Sequence, residues 1–110
     1  MPDADRKQIR RNFHDAVNMT AGEIARWLTT AESRKVGFKK GGKGESVGHA
    51  SGRRIVAILG TTEADLTDSD YAHMRKVAGF VKRHRAQEPA NIATSRWRYS
   101  LMNWGHDPLK

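Results

Sequence analysis

The sequence predicts an all-α fold, a compact bundle of four to five helices, on three observations. Apolar residues recur at helical spacing in successive segments, and hydroxyl or acidic side chains stand where helix N-termini need caps. Nothing in the chain reads as a pair of strands, and a lone strand would leave its backbone groups unsatisfied.

Ile9, Phe13 and Val17 fall at i, i+4, i+8 among Arg6, Lys7, Arg10 and Arg11, which predicts a short first helix starting after Asp3 or Asp5. Asn18-Met19 breaks the pattern. Thr20 and Glu23 then have capping-box spacing, so a second helix begins near Ala21. Its apolar positions Ile24, Trp27, Leu28 and Ala31 recur at 0, 3, 4 and 7, making Trp27 a core anchor and not a ligand platform. Six of the ten glycines lie between Gly37 and Gly52 with Lys39, Lys40 and Lys43 among them, so residues 37–48 read as a mobile basic loop. Helical pattern resumes around Ser46, is strongest over Ile55, Ile58 and Leu59, and ends near Gly60, a residue suited to the left-handed position after a helix. Arg53 and Arg54 point outward from this third helix.

Thr67-Asp68-Ser69-Asp70 caps the fourth and longest helix. Over residues 71–85, Tyr71, Met74, Val77, Ala78 and Val81 share one side while Arg75, Lys76, Lys82 and Arg83 gather opposite, and Pro89 closes the segment. In the tail, Trp97, Leu101 and Trp104 fit a helix, whereas Trp97, Tyr99 and Leu101 fit a strand equally well. A short helix is expected because no partner strand exists. The whole chain, residues 1–110, then forms one helical domain in which the aromatic tail from 89 to 110 packs on the bundle. The expected core is Ile9, Phe13, Ile24, Trp27, Leu28, Ile55, Leu59, Met74, Val77 and Val81.

Composition narrows the function classes. The chain has no cysteine, so neither a disulfide nor a thiolate-held metal supports it, and packing alone must. No apolar run reaches membrane-span length, and no hydrophobic signal region follows the charged start, so a cytoplasmic protein is expected. The net charge is +8. Residues 1–55 hold twelve basic against six acidic side chains and residues 56–110 hold eight against six, so the excess sits mainly in the first half. Polyanions are the partners this favours.

Three strings carry a family likeness: Glu45-Ser46-Val47-Gly48-His49-Ala50-Ser51-Gly52-Arg53-Arg54-Ile55-Val56, Tyr71-Ala72-His73-Met74-Arg75-Lys76-Val77, and Arg96-Trp97-Arg98-Tyr99-Ser100-Leu101-Met102-Asn103-Trp104-Gly105-His106-Asp107-Pro108. From about Phe13 to the C-terminus the chain resembles a domain-of-unknown-function family of small basic proteins from bacteria and fungi. The resemblance implies no active site. It implies DNA binding only through the label some members carry.

Several motifs fail on their own chemistry. Gly37 to Lys43 matches the first seven positions of a phosphate-cradling loop, but Gly44 stands where the magnesium-binding hydroxyl belongs, and no strand precedes it. His14, His49, His73, His84 and His106 show no i, i+4 pair with a third ligand nearby, so no metal or other cofactor is expected. His106-Asp107 could be a base with its orienting carboxylate, yet adjacent residues rarely face each other, and Asp107 reads as a turn residue before Pro108. No enzyme is expected.

What remains is positive charge. The outward face of the fourth helix lacks acidic partners at i ± 4, so Arg75, Lys76, Lys82 and Arg83 form its most ordered array. Lys39, Lys40, Lys43, Arg53 and Arg54 can extend it, with Arg96 and Arg98 from the Arg-Trp-Arg-Tyr interleave. The expectation is low-specificity nucleic-acid binding, DNA in preference to RNA, through the helical face and the Gly/Lys loop. The competing expectation is a protein-interaction module that meets an acidic partner and uses the aromatic tail as anchor.

Overall fold

A computed structural model describes residues 2–110. Its six helices are α1 (Asp3–Ala16), α2 (Ala21–Trp27), α3 (Ala31–Lys35), α4 (Val47–Leu59), α5 (Asp68–Arg85) and α6 (Arg96–Asn103), with 3-10 turns over Lys40–Gly42 and Glu63–Asp65. Five of the six have seven or more residues, and no strand occurs among the described residues. The all-helical class expected from periodicity holds.

Local chemistry sets most boundaries. Thr20 accepts from the Glu23 amide while the Glu23 carboxylate accepts from the Thr20 amide, and Thr67 with Asp70 repeats that box at α5. Ser46 and Ser95 cap α4 and α6 with single bonds to His49 N and Arg98 N. The long second helix implied by Trp27, Leu28 and Ala31 is instead two. Thr30 accepts from Ser33 N and starts α3, because its hydroxyl offers the backbone a cap where the helix could otherwise have continued. The Gly/Lys segment therefore follows α3.

Two further expectations change. The first helix is 14 residues long, not short: Asp3 and Asp5 sit in its positive first turn, and Arg6 and Arg10 tie it to Asp68 and Glu63 at 2.6 Å each. Gly60 is right-handed, with φ −88°. A left-handed cap is unnecessary there, since Gly60 N donates to Val56 O, Thr61 N to Ile58 O and the Thr61 hydroxyl to Ala57 O.

Helix α1 lies along α5, α2 along α4, and α6 touches α2, α3, α4 and α5. One core cluster results, and α6 closes it with Trp97, Leu101 and Trp104. The tail is thus a helix that completes the core. Of the expected core, Trp27 and Leu59 are half-buried and the other eight residues are buried. Close approach of α4 to its neighbours depends on Gly52, where an added Cβ would lie 2.7 Å from both Asn103 O and a Leu28 methyl.

A polar knot joins α2, α3 and α6. Asn103 has no exposed surface; its Oδ1 accepts from Trp27 Nε1 at 2.8 Å and Ser33 Oγ at 2.5 Å, and its Nδ2 donates to Ser33 O at 3.0 Å. Every polar atom of that amide but one proton is used, so a buried group that would otherwise be costly becomes specific.

Candidate functional site

Helix α5 carries its basic residues in two rows. Seven residues make nearly two turns, so Arg75 aligns with Lys82, and Lys76 aligns with Arg83. Arg75 and Lys82 face α1 across a groove of about 750 Å³ that Arg85 also lines. Asp5 and Asp15 of α1 line it too, and set negative charge against that row.

Lys76 and Arg83 face the other way. Lys76, Phe80 and Arg83 stand at i, i+4, i+7, which puts an aromatic ring on the same flank as two cations, one turn from each. They border a cleft of about 240 Å³ lined also by Gly37 and Phe38 of the glycine-rich segment, Val47 and Gly48 of α4, and Ser100, Asn103 and Trp104 at α6. Phe80 stacks on Trp104 with centroids 4.3 Å apart and planes 15° from parallel. His73 stacks on the same indole, and His84 lies between Phe80 and Trp97, so five rings form a ladder along the α5–α6 seam.

The backbone brings Phe38 to this place. Gly37 has φ +94°, which L side chains rarely adopt, and a Cβ there would also sit 3.2 Å from Ser46. After that turn Phe38 O accepts from Val47 N at 2.7 Å, which fixes the segment against the start of α4. The Phe38 ring is 70% exposed. Trp104 is seated by Gly48, where an added Cβ would come within 3.0 Å of its Nε1.

The surroundings are electropositive. His73 is held below its ordinary pKa by burial first and then by Arg54 and Lys76, against the opposing pull of the Ser51 backbone and Asp70; the Ser51 hydroxyl lies 2.9 Å from its Nε2. This Ser–His pair has no carboxylate on the histidine's other nitrogen among the described residues, and Ser51 is buried, so it lacks the oriented, accessible arrangement of a nucleophile and base. Four other surface clefts include a carboxylate: Asp5 and Asp15, Asp70, Glu63, or Glu45. The Lys76–Arg83 cleft includes none.

The residues singled out from sequence are distributed as follows. Arg75, Lys76, Lys82, Arg83 and Lys43 are exposed and Lys39 half-buried, none with an ion-pair partner among the described residues, while the Lys40 side chain lies outside them. Arg53 is matched to Glu45 through Nε at 2.7 Å and Nη2 at 2.5 Å. Arg54 reaches Ser69 and Asp70. Arg98 forks onto both Asp107 oxygens at 3.1 Å, and Arg96 donates to Lys35 O. Three of those four are matched to carboxylates, while Arg96 bonds only a carbonyl, and Arg54 still lines a cleft together with Lys76. His106 turns away from Asp107 and bonds Ala16 O through Nδ1, while Asp107 accepts from Leu109 N as its turn requires.

Sequence reading missed Phe38, Phe80 and Trp104 as parts of a site. The signal for one of them was present: Lys76-x-x-x-Phe80-x-x-Arg83 is an aromatic between two cations on one helical flank. Phe38 carried no such periodicity, and its place depends on a contact with α4.

Among the described residues no cluster of three or more His, Asp or Glu side chains could hold a metal, and no helix is long and apolar enough to cross a membrane. A family model described as "Protein of unknown function (DUF3140)" matches residues 12–102. No curated protein and no solved structure matches the chain.

Proposed function

The chain belongs to the DUF3140 family, whose description names no activity, and we propose from its surface chemistry that it binds nucleic acid with little sequence specificity. The observation that carries this is the cleft bordered by Lys76 and Arg83 with no carboxylate in its lining, where four other clefts each set a carboxylate beside their cations. Six cations free of ion pairs contribute: Lys76 and Arg83 at the cleft, Arg75 and Lys82 on the neighbouring row, and Lys39 and Lys43 beyond Phe38. The binding is non-catalytic and cytoplasmic, as expected from the sequence. DNA is the preferred nucleic acid, in line with the DNA-binding label that the resemblance attaches to some family members.

Phosphate contacts of this kind position a backbone and read no bases. Six of them make log affinity for duplex fall against log salt with a slope of about −5. The test is a titration of random-sequence duplex at several salt concentrations with the wild type and with the double variant Lys76→Gln, Arg83→Gln. The expected result is a loss of about tenfold on every sequence and a slope shallower by about 2. A flat salt response in the wild type overturns the proposal. Binding of an acidic partner that survives nuclease treatment of the lysate, with no binding to purified duplex, would favour the interaction-module reading. Burial of Trp97, Leu101 and Trp104 leaves that reading without the tail anchor it relied on.

A further inference from the structure

We infer that the cleft between Phe38 and the Phe80–Trp104 pair takes an unpaired base of a single-stranded polynucleotide, with its flanking phosphates on Lys76 and Arg83. The inference rests on the nucleic-acid reading above and narrows it from phosphate binding to recognition of unstacked strands. Three features of the cleft carry it.

The first is a pair of rings already stacked. Phe80 and Trp104 lie nearly parallel at 4.3 Å with His84 and His73 stacked on their outer faces, so their edges give the cleft a fixed apolar wall. The base meets this wall at the ring edges and stacks on Phe38, a surface that suits any base because every base has a π-face. Second, Phe38 is a large apolar side chain left 70% exposed at the same cleft. That ring, which the fold does not bury, supplies the stacking surface. Third, the charge is complementary: two cations about 10 Å apart along α5 flank the aromatic wall, and no acidic side chain lines the cleft.

Size and polarity select among occupants. A volume of about 240 Å³ is below the range of pockets for drug-sized ligands and fits one ring system with its sugar outside. Asn103, the lining residue with an amide able to read a base edge, is already bonded to Trp27 and Ser33. The site therefore stacks without discriminating sequence. Bases inside a duplex are paired and cannot enter without unstacking, so single strands are preferred.

The test uses fluorescence anisotropy with labelled dT15, an abasic strand of equal length and charge, and a 15-base-pair duplex. We expect the wild type to bind dT15 about tenfold more tightly than the abasic strand, with a salt slope near −4, the value for six contacts on a single strand. Phe38→Ala should remove most of that tenfold advantage; its ring is exposed, so the core is untouched. Phe38→Trp should restore the advantage. Equal affinity for dT15 and the abasic strand overturns the inference while duplex binding keeps the broader reading intact. Loss of all three ligands overturns both. A poly-glutamate peptide bound as tightly as dT15, and released by Phe38→Ala, would assign the cleft to acidic protein segments instead.

Discussion

Asn103 shows how one side chain can hold three helices at once. Replacing it with Ala leaves the Trp27 N–H, the Ser33 hydroxyl and the Ser33 carbonyl without their partner, the two Ser33 groups in the buried interior. Unmet buried groups cost about 1–3 kcal/mol each, so Asn103→Ala should lower unfolding free energy by roughly 3 kcal/mol, measured as a shift of the urea midpoint at constant m-value. A loss below about 1 kcal/mol would mean that water replaces the amide. Gly79 presents the opposite case. It lies within α5 between the two basic rows, and an added Cβ would stand 3.0 Å from the Arg83 guanidinium, a mobile side-chain end that can move aside. Gly79→Ala should therefore stabilise the helix by about 0.5–1 kcal/mol and yet weaken nucleic-acid binding severalfold, because Arg83 leaves its place. Melting and salt-titrated binding on the same sample separate the two effects. The Asn103 contacts were not legible in the sequence, since that side chain meets residues seventy or more positions away, whereas Gly79 and Arg83 stand at i, i+4 on one helix and are neighbours by spacing alone.

The boundaries of the helices were far more legible, because capping is a transaction within four residues. Thr20 with Glu23, Thr67 with Asp70, and Ser46 all act where their spacing said they would. The split between α2 and α3 was not legible: Leu28 and Ala31 keep the apolar period across Thr29-Thr30, and the competing cap at Thr30 interrupts it without disturbing that period. Nor could local pattern reveal that Gly52 is a packing residue, since its importance lies in Asn103 O and Leu28 on other helices. A methyl group there meets a backbone oxygen, which cannot move aside as a side-chain tip can. Gly52→Ala is therefore expected to destabilise by about 1–3 kcal/mol despite its better helix propensity, and its urea midpoint should fall. Gly60→Ala serves as the control: φ is −88° and nothing lies closer than 3.7 Å to the added Cβ, so that variant should be neutral or slightly stabilised.

Over the whole molecule, the net charge of +8 is sorted by the folding of distant segments. Arg6, Arg10, Arg53, Arg54 and Arg98 are matched to Asp68, Glu63, Glu45, Asp70 and Asp107, which leaves the α5 rows with Lys39 and Lys43, and elsewhere Lys7, Arg11, Arg26, Arg34, Lys35 and Arg96, outside the ion pairs found among the described residues. Sequence spacing placed the α5 array correctly on one helix but could not show that α1 brings Asp5 and Asp15 to one of its two rows. The matched pairs also set the response to acid. Glu23, held by Lys110, and Glu45, held by Arg53, titrate near about 2, so these contributions are present above the ordinary 4.5 and fade only as pH falls toward 2. Three histidines act at higher pH. His73, His84 and His106 are all lowered from 6.5, each mainly by burial; Arg54 and Lys76 add to the effect at His73, and Arg85 at His106, against Asp107 and the Ala16 carbonyl. Below 6.5 the unfolded chain takes up protons at these sites that the folded chain resists. Stability is thus complete above 6.5 and declines as pH drops through it, until the folded-state values are reached. The melting temperature should be flat from pH 8 to 7 and lower at pH 5. His84 has a buried Nε2 with no bonding partner and lies between Phe80 and Trp97, so His84→Phe keeps a ring in the ladder while removing one titrating group. That variant should show a shallower decline between pH 7 and 5. An unchanged slope would place the proton uptake at His73 and His106 alone.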